Sequence, residues 1–287
     1  MPTARKSHEH NDRMTSTPEI GRSILADGVA TNVHIAGAGE TVLLLHGSGP
    51  GVTAWANWRL TIPRLAEHFT VVAPDLLGFG FTDRPEGTTY DLDTWTAHVL
   101  GVLDALGVEQ AHVIGNSFGG SLALALAIRH PKRVSRLVLM GSVGVPFDIT
   151  PGLDAVWGYE PSVPAMQDLL VLFAHDADLI GPDLAELRYR ASIRPGVQEA
   201  FAAMFPAPRQ SALDAMTHDL ADIRAIAAPT LVVHGRDDQV IPLATSLALL
   251  EAIDDAQLHV FGRCGHWTQI EHADEFADLV IGFLARP

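Results

Sequence analysis

"VIGNSFGGSLALALAI", residues Val113 to Ile128, joins an apolar run that stops at Gly115 to a second apolar run with a different rhythm. The first reads as a strand, AHVIG (111–115), and the second as a helix, GGSLALALAIRH (119–130). Between them Gly115-Asn116-Ser117-Phe118-Gly119 forms the pattern Gly-x-Ser-x-Gly. A strand that turns at once into a helix raises the residue at the turn in a strained backbone conformation. Glycine is needed two residues to either side, because a Cβ there would meet the neighbouring strand and helix. Such matches are common on their own. The strand–helix setting is what marks Ser117 as a nucleophile, and Phe118, at the helix start, as a backbone N–H donor to an oxyanion.

The rest of the chain keeps the same alternation. SILADGVATNVHI (23–35) reads as a hairpin around Asp27-Gly28. TVLLLH (41–46), TVVAPD (70–75), VSRLVLMG (134–141), PTLVVHG (229–235) and AQLHVFG (256–262) read as strands, several apolar enough to be covered on both faces. WRLTIPRLAEHF (58–69) has a helical period that Pro63 must kink or start. DTWTAHVLGVLDALG (93–107), residues 243–253 and residues 273–284 read as helices. Strands alternating with helices imply an α/β fold with a mostly parallel, eight-stranded sheet flanked by helices. Residues 146–209 break the rhythm, with many prolines, several aromatics and no good strand. They read as a helical lid over the carboxyl edge of the sheet, where α/β folds bind ligands. The expected layout is a disordered tail at 1–18, a core at 19–145 and 210–287, and the lid at 146–209. Met14 offers an alternative start.

The formal net charge of −15 argues against nucleic acid. No stretch approaches the roughly 20 apolar residues of a membrane span, and the polar first residues lack the apolar centre of a secretion signal. A single cysteine, Cys264, permits no intrachain disulfide, and together these facts favour the cytoplasm. An anionic ligand would need a local arginine or a helix N-terminus, since the average field repels it.

A serine nucleophile needs a base and an orienting acid, and in this topology both follow it in the chain. Among fourteen histidines, His266 stands in a glycine-flanked loop, GRCGHWTQIEH (262–272), directly after the last strand. His112, His234 and His259 sit in or beside strands and read as structural. The acid belongs to HGRDDQVIP (234–242), which offers two candidates, Asp237 and Asp238. The second oxyanion donor falls in LLLHGSGPG (43–51), where His46-Gly47 turns the chain and Ser48 offers its backbone N–H. That loop lacks the Gly-Lys-Ser/Thr ending of a phosphate loop. Cys264 reads as packing.

Ser117, Asp238 and His266 in that order, with HGSGPG and DLLGFGFTDRP, resemble the α/β-hydrolases. HGSGPGVTAWANWRLTIPRL, GNSFGG, LRYRASIRPG and LHVFGRCGHWTQIEHADEF are more specific and resemble the meta-cleavage product hydrolases of bacterial aromatic degradation, those acting on 2-hydroxymuconic semialdehyde and alkyl-substituted dienoates above all. The resemblance runs from about Ile20 to the C-terminus. It selects Asp238 as the acid and leaves Asp237 solvated or paired with an arginine. It implies cofactor-free hydrolysis of a C–C bond in a 2-hydroxy-6-oxo-hexa-2,4-dienoate, giving 2-hydroxypenta-2,4-dienoate and a carboxylic acid. The dienol first becomes its keto tautomer, and Ser117 then attacks the C6 carbonyl. It further implies that Arg188 holds the substrate carboxylate, with Arg190 the alternative, and that Asn57, Asn116, Trp267 and Gly47 complete a polar subsite. Asn57 has a second reading as a helix cap. Phe147, Trp157, Leu169, Leu172, Phe173 and Val240 are expected to shape the apolar pocket for the C6 substituent. The implied partners are a small dienoate and further copies of the chain in a homo-oligomer, with no membrane and no nucleic acid. The same triad would serve a carboxylesterase with another acyl substrate, or survive in a non-catalytic ligand-binding protein. A dehalogenase would need Asp at position 117, and no close cluster of metal-ligating side chains is evident.

Overall fold

The computed structural model describes residues 17–286. Its centre is one eight-stranded sheet of β1 (Arg22–Ala26), β2 (Val29–Ala36), β3 (Thr41–Leu45), β4 (Thr70–Pro74), β5 (Ala111–Asn116), β6 (Val134–Met140), β7 (Thr230–Gly235) and β8 (Ala256–Phe261). The spatial order is β1-β2-β4-β3-β5-β6-β7-β8. The β1–β2 hairpin turns at Asp27-Gly28, both at positive φ, and pairs antiparallel with β4; the remaining pairings are parallel.

Period-2 alternation splits the apolar strand residues between the two faces. Leu43, Leu45, Val113, Leu137, Leu139 and Val232 join one core with Trp95, Val99 and Leu122 from the helices Leu92–Ala105 and Phe118–Arg129. Val42, Leu44, Ile114, Val138, Met140 and Val233 join the other with Trp58, Leu65, Phe276 and Phe283. Covered on both faces, β3, β5 and β7 are fully buried after their first residues, as continuous apolar runs require. The edge strand β8 keeps most of its residues at least partly exposed.

The expected helix at 58–69 is two short ones, Ala54–Trp58 and Thr61–Leu65. Pro63 stands in the first turn of the second, where its missing N–H has no helical partner to lose. Residues 146–209 contain no strand; their α-helices are Pro151–Trp157, Val163–Phe173, Pro182–Ser192, Val197–Met204 and the start of Arg209–Asp214. Of the expected tail, residues 1–16, Met14 included, lie outside the described residues, but Thr17 and Pro18 form part of a turn and line the central cavity. Among the described residues no helix is long and apolar enough to cross a membrane.

From β3 the chain goes one way to β4 and then returns to the other side of β3 with β5. The loops after β3 and β5 therefore meet at the topological switch point, the crevice where open α/β sheets bind ligands.

Candidate active site

Ser117 is the junction between β5 and the helix Phe118–Arg129, with φ 54° and ψ −117°. A non-glycine residue there costs about 1–3 kcal/mol, which the surroundings must offset. They do so by contact and hydrogen bonding. A Cβ on Gly115 would lie 2.4 Å from the Gly119 carbonyl oxygen, and one on Gly119 would lie 2.4 Å from that of Leu45. The Ser117 N–H donates to Met140 O (2.9 Å), and its carbonyl accepts from Gly120 and Val143. Phe118 opens the helix, so its N–H has no carbonyl of its own helix to bond. Its ring is fully buried among Phe79, Trp95 and Phe205.

The loop after β3 approaches from the other side of the switch point. A Cβ on Gly47 would lie 3.4 Å from the Ser117 Cβ. His46 fixes the turn: Nδ1–H donates to Gly47 O (2.7 Å) and Nε2 accepts from the Leu76 N–H (3.0 Å). Burial pushes this imidazole down to about 4, so it stays neutral in that role. Ser48 Oγ accepts from the indole N–H of Trp157 (2.9 Å).

His266 and Asp238 come from the loops after β8 and β7. His266 Nδ1–H donates to Asp238 Oδ2 (2.7 Å), while Asp238 Oδ1 accepts from the N–H groups of Val240 (2.7 Å) and Ile241 (2.9 Å). Burial alone would raise the Asp238 carboxyl, but the adjacent His266 imidazole and the backbone donors hold it below the usual carboxylate range. An ionised Asp238 fixes the tautomer that leaves Nε2 of His266 free to accept a proton. Gly141, at φ 48°, lies beneath this pair, and a Cβ there would be 3.3 Å from both Asp238 Oδ2 and the imidazole. Phe173 packs over His266 (ring centroids 5.9 Å) and stacks on Trp267 (5.1 Å). Asp237 instead pairs with Arg236 (3.2 Å) and His175 (3.4 Å). Cys264 is buried, its thiol pushed up to about 12. His234, also expected to be structural, is bonded to Ser246 and Ile241.

Ser117 and His266 open into one cavity of about 400 Å³. Arg188 lies in its wall, only 12% exposed, with Nη2 donating to Gly51 O (2.7 Å) and Nη1 to Glu19 Oε1 (3.4 Å). Arg190 is exposed and pairs with Glu186 one helical turn away. Asn116 Nδ2 donates to Asn57 Oδ1 (3.2 Å), leaving Asn116 Oδ1 buried and unpaired. Asn57 caps no helix: Thr53 caps its own and Leu60 precedes the next. Gly47, Ser48, Trp267 and Gln269 also reach the cavity.

The apolar expectations divide. Phe173 and Val240 line the cavity, with Leu153, Val156, Met166 and Leu170. Phe147, Trp157, Leu169 and Leu172 do not. Met166, Leu170 and Phe173 share one face of the helix Val163–Phe173 by their i, i+4, i+7 spacing; Leu169 stands at the flank of that stripe and Leu172 off it, and both pack with the core. Trp157 is stacked on Phe205 (4.3 Å), and Phe147 packs against the main core. Glu19, Gln269 and Gly141 are among the cavity or support positions that had escaped the sequence reading, as had Leu153, Val156, Met166 and Leu170. Of the first three, only Gly141, directly after a strand in LVLMG, carried a local signal.

Residues 40–273 match the α/β-hydrolase fold family. A 2-hydroxymuconate semialdehyde hydrolase of Pseudomonas sp. (strain CF600) is 63% identical over 270 residues, which cover 94% of this chain and 95% of that protein. A 2-hydroxy-6-oxo-2,4-heptadienoate hydrolase of Pseudomonas putida is 61% identical, over 93% of this chain and 97% of its own. The solved meta-cleavage product hydrolase from Pseudomonas fluorescens IP01 superposes with a TM-score of 0.92 at 58% identity, over 93% and 98% of the two chains. The chain belongs to the α/β-hydrolases and, among them, to the meta-cleavage product hydrolases.

Proposed function

We propose that the protein hydrolyses the C5–C6 bond of 2-hydroxy-6-oxo-hexa-2,4-dienoates, with 2-hydroxymuconic semialdehyde and short 6-alkyl analogues as its substrates. The observation that carries this reading is the juxtaposition, in one cavity, of Ser117 and His266 with a desolvated guanidinium, Arg188. An ordinary esterase needs only the first two. The high identity to hydrolases named for the semialdehyde and the heptadienoate supports the choice of substrate.

In this mechanism Arg188 and the Asn57–Asn116 pair hold the carboxylate and the C2 oxygen. Once the dienol has become its keto tautomer, the C5 side can leave with the bonding electrons. Ser117 attacks the C6 carbonyl while His266 Nε2 takes its proton, and Asp238 stabilises the imidazolium. The backbone N–H groups of Ser48 and Phe118 receive the oxyanion. As the C5–C6 bond breaks, its electrons pass along the chain to O2, the proton held by His266 goes to the leaving dienolate at O2 to give 2-hydroxypenta-2,4-dienoate, and water then releases the acid from Ser117. The apolar cavity side, from Leu153 to Phe173 and Val240, receives the C6 substituent, which makes residues 146–209 a lid that contributes binding surface. The enzyme works without cofactor, in the cytoplasm, as a homo-oligomer whose mass light scattering would measure.

The test is a panel of ring-cleavage products with formyl, methyl, isopropyl and phenyl groups at C6, followed by loss of the visible dienolate absorbance. The expected order of kcat/KM places formyl and methyl first. Unchanged absorbance with every member of the panel would overturn the reading.

A further inference from the structure

We propose that Glu19 is a positioning residue of the anion subsite, acting through Arg188, and that its charge shifts this subsite towards the monoanionic forms of the bound dienoate and away from the dianionic dienolate. The inference rests on the dienoate reading above.

Glu19 precedes β1, in a turn whose residues Thr17, Pro18 and Glu19 all reach the cavity. Its backbone is tethered: the carbonyl accepts from Asn32 Nδ2 (3.0 Å) and lies 3.2 Å from His34 Nε2. Its Oε1 accepts from Thr53 Oγ1 (3.1 Å) and Arg188 Nη1 (3.4 Å). Thr53 caps the helix that carries Asn57, its Oγ1 accepting from the Ala56 N–H (3.0 Å). One carboxylate thus ties the guanidinium to the wall bearing the Asn57–Asn116 pair. The guanidinium has five N–H donors in a fixed fork. With Nη2 on Gly51 O and Nη1 on Glu19, its orientation is set and the other donors remain for a ligand.

The charges acting on Arg188 are those of Glu19, Arg194 and Arg59, one opposite against two like. Arg59 itself lines the cavity. A bound dienol carries one negative charge on its carboxylate; loss of the acidic 2-hydroxyl proton makes a coloured dianion. The keto tautomer forms when O2 loses its proton and C5 gains one, with no net change in composition or oxidation state. A subsite with surplus positive charge favours the dianion and so opposes protonation at C5. The Glu19 carboxylate offsets one unit of that surplus. One unit of charge at this range, in a partly wet cavity, is worth about an order of magnitude in the ratio of the two forms.

The experiment compares Ser117→Ala with Ser117→Ala/Glu19→Gln, each mixed with the 6-methyl dienoate, by the visible spectrum of the bound chromophore. The dianion-to-monoanion ratio should rise about tenfold when the Glu19 charge is removed. With Ser117 intact, Glu19→Gln should lower kcat on the dienoate by a similar factor without raising KM, and should leave acetate-ester turnover within about twofold. Glu19→Asp should restore the spectrum. Glu186→Gln, which removes a carboxylate paired with Arg190 on the same helix as Arg188, should leave the spectrum unchanged. An unchanged ratio in Glu19→Gln, a higher KM at constant kcat, or an equal spectral shift in Glu186→Gln would overturn the proposal. Should Glu19→Gln fail to fold, Ser117→Ala/Arg59→Gln removes a positive charge from the same balance, so the dianion-to-monoanion ratio should fall, and an unchanged ratio there would overturn the proposal. Wild-type inactivity on all dienoates would sink the substrate reading instead.

Discussion

The two ends of the cavity are built by different means. Around Ser117 and His266 the backbone does the positioning. Gly115 and Gly119 admit close approach, Met140 and Leu45 supply carbonyls beside the turn, and two amide N–H groups seat Asp238. Around Arg188 side chains do it, through Glu19, Thr53 and the Asn57–Asn116 pair. The first end fixes atoms that must react, and has its polar groups oriented within the protein. The second leaves Asn116 Oδ1 and Gln269 Oε1 buried without partners. Unpaired buried acceptors destabilise the empty protein and reward a ligand that donates to them. The difference separates an end whose backbone is set within the protein from an end whose buried acceptors a ligand could meet.

Four measurements can break or sharpen this contrast. The largest effect belongs to Ser117→Ala, which should lower kcat by at least about three decades while leaving dienoate binding intact, because the triad acts as a unit. A variant retaining a tenth of wild-type turnover in single-turnover assays would show that the backbone-built end is not where the chemistry occurs. Next is Arg188→Ala. Loss of a charge-assisted contact should lower kcat/KM for dienoates about a hundredfold and for simple esters far less. Equal losses on both substrates would assign Arg188 to the fold instead.

Acid should attack the backbone-built end through His46. Its folded-state value, about 4, lies below the ordinary 6.5. Between those values the unfolded chain binds a proton that the folded protein refuses, so the protein is most stable above pH 6.5 and loses stability as the pH falls towards 4. By pH 5 the loss from His46 is on the order of 2 kcal/mol. His98, also held at about 4 by burial, adds in the same direction. Urea midpoints that do not move between pH 7.5 and 5 would contradict the neutral, buried role of both. The smallest effect is expected for Trp157→Phe, which keeps the ring stack and removes the hydrogen bond to Ser48. A loss of about 1 kcal/mol, or severalfold in kcat, should appear equally on dienoates and esters. A loss confined to dienoates would move Trp157 from the oxyanion side to the recognition side.

The same contrast explains what could be read from the chain alone. The nucleophile turn was legible because its constraints are local: strand, glycine, serine, glycine and helix lie within a few residues. His266 and Asp238 were legible because each follows a recognisable strand. Arg188 was found by motif resemblance, and its partner was not, since nothing near Glu19 announces a contact across 169 positions. The first two residues of the cavity wall were assigned to a disordered tail for the same reason. Phe147, Trp157, Leu169 and Leu172 lie outside the cavity lining, because apolar identity does not say whether a side chain faces a void or a core.

Trp157 joins three things that chemistry usually keeps apart. Its helix, Pro151–Trp157, belongs to the strandless stretch 146–209, its ring lies flat on Phe205, and its N–H ends on Ser48. Displacement of that helix cannot leave both contacts intact. The indole is therefore a native fluorophore whose emission records whether the helix Pro151–Trp157 and the loop after β3 are engaged, and stopped-flow fluorescence can time that engagement against loss of the substrate's colour.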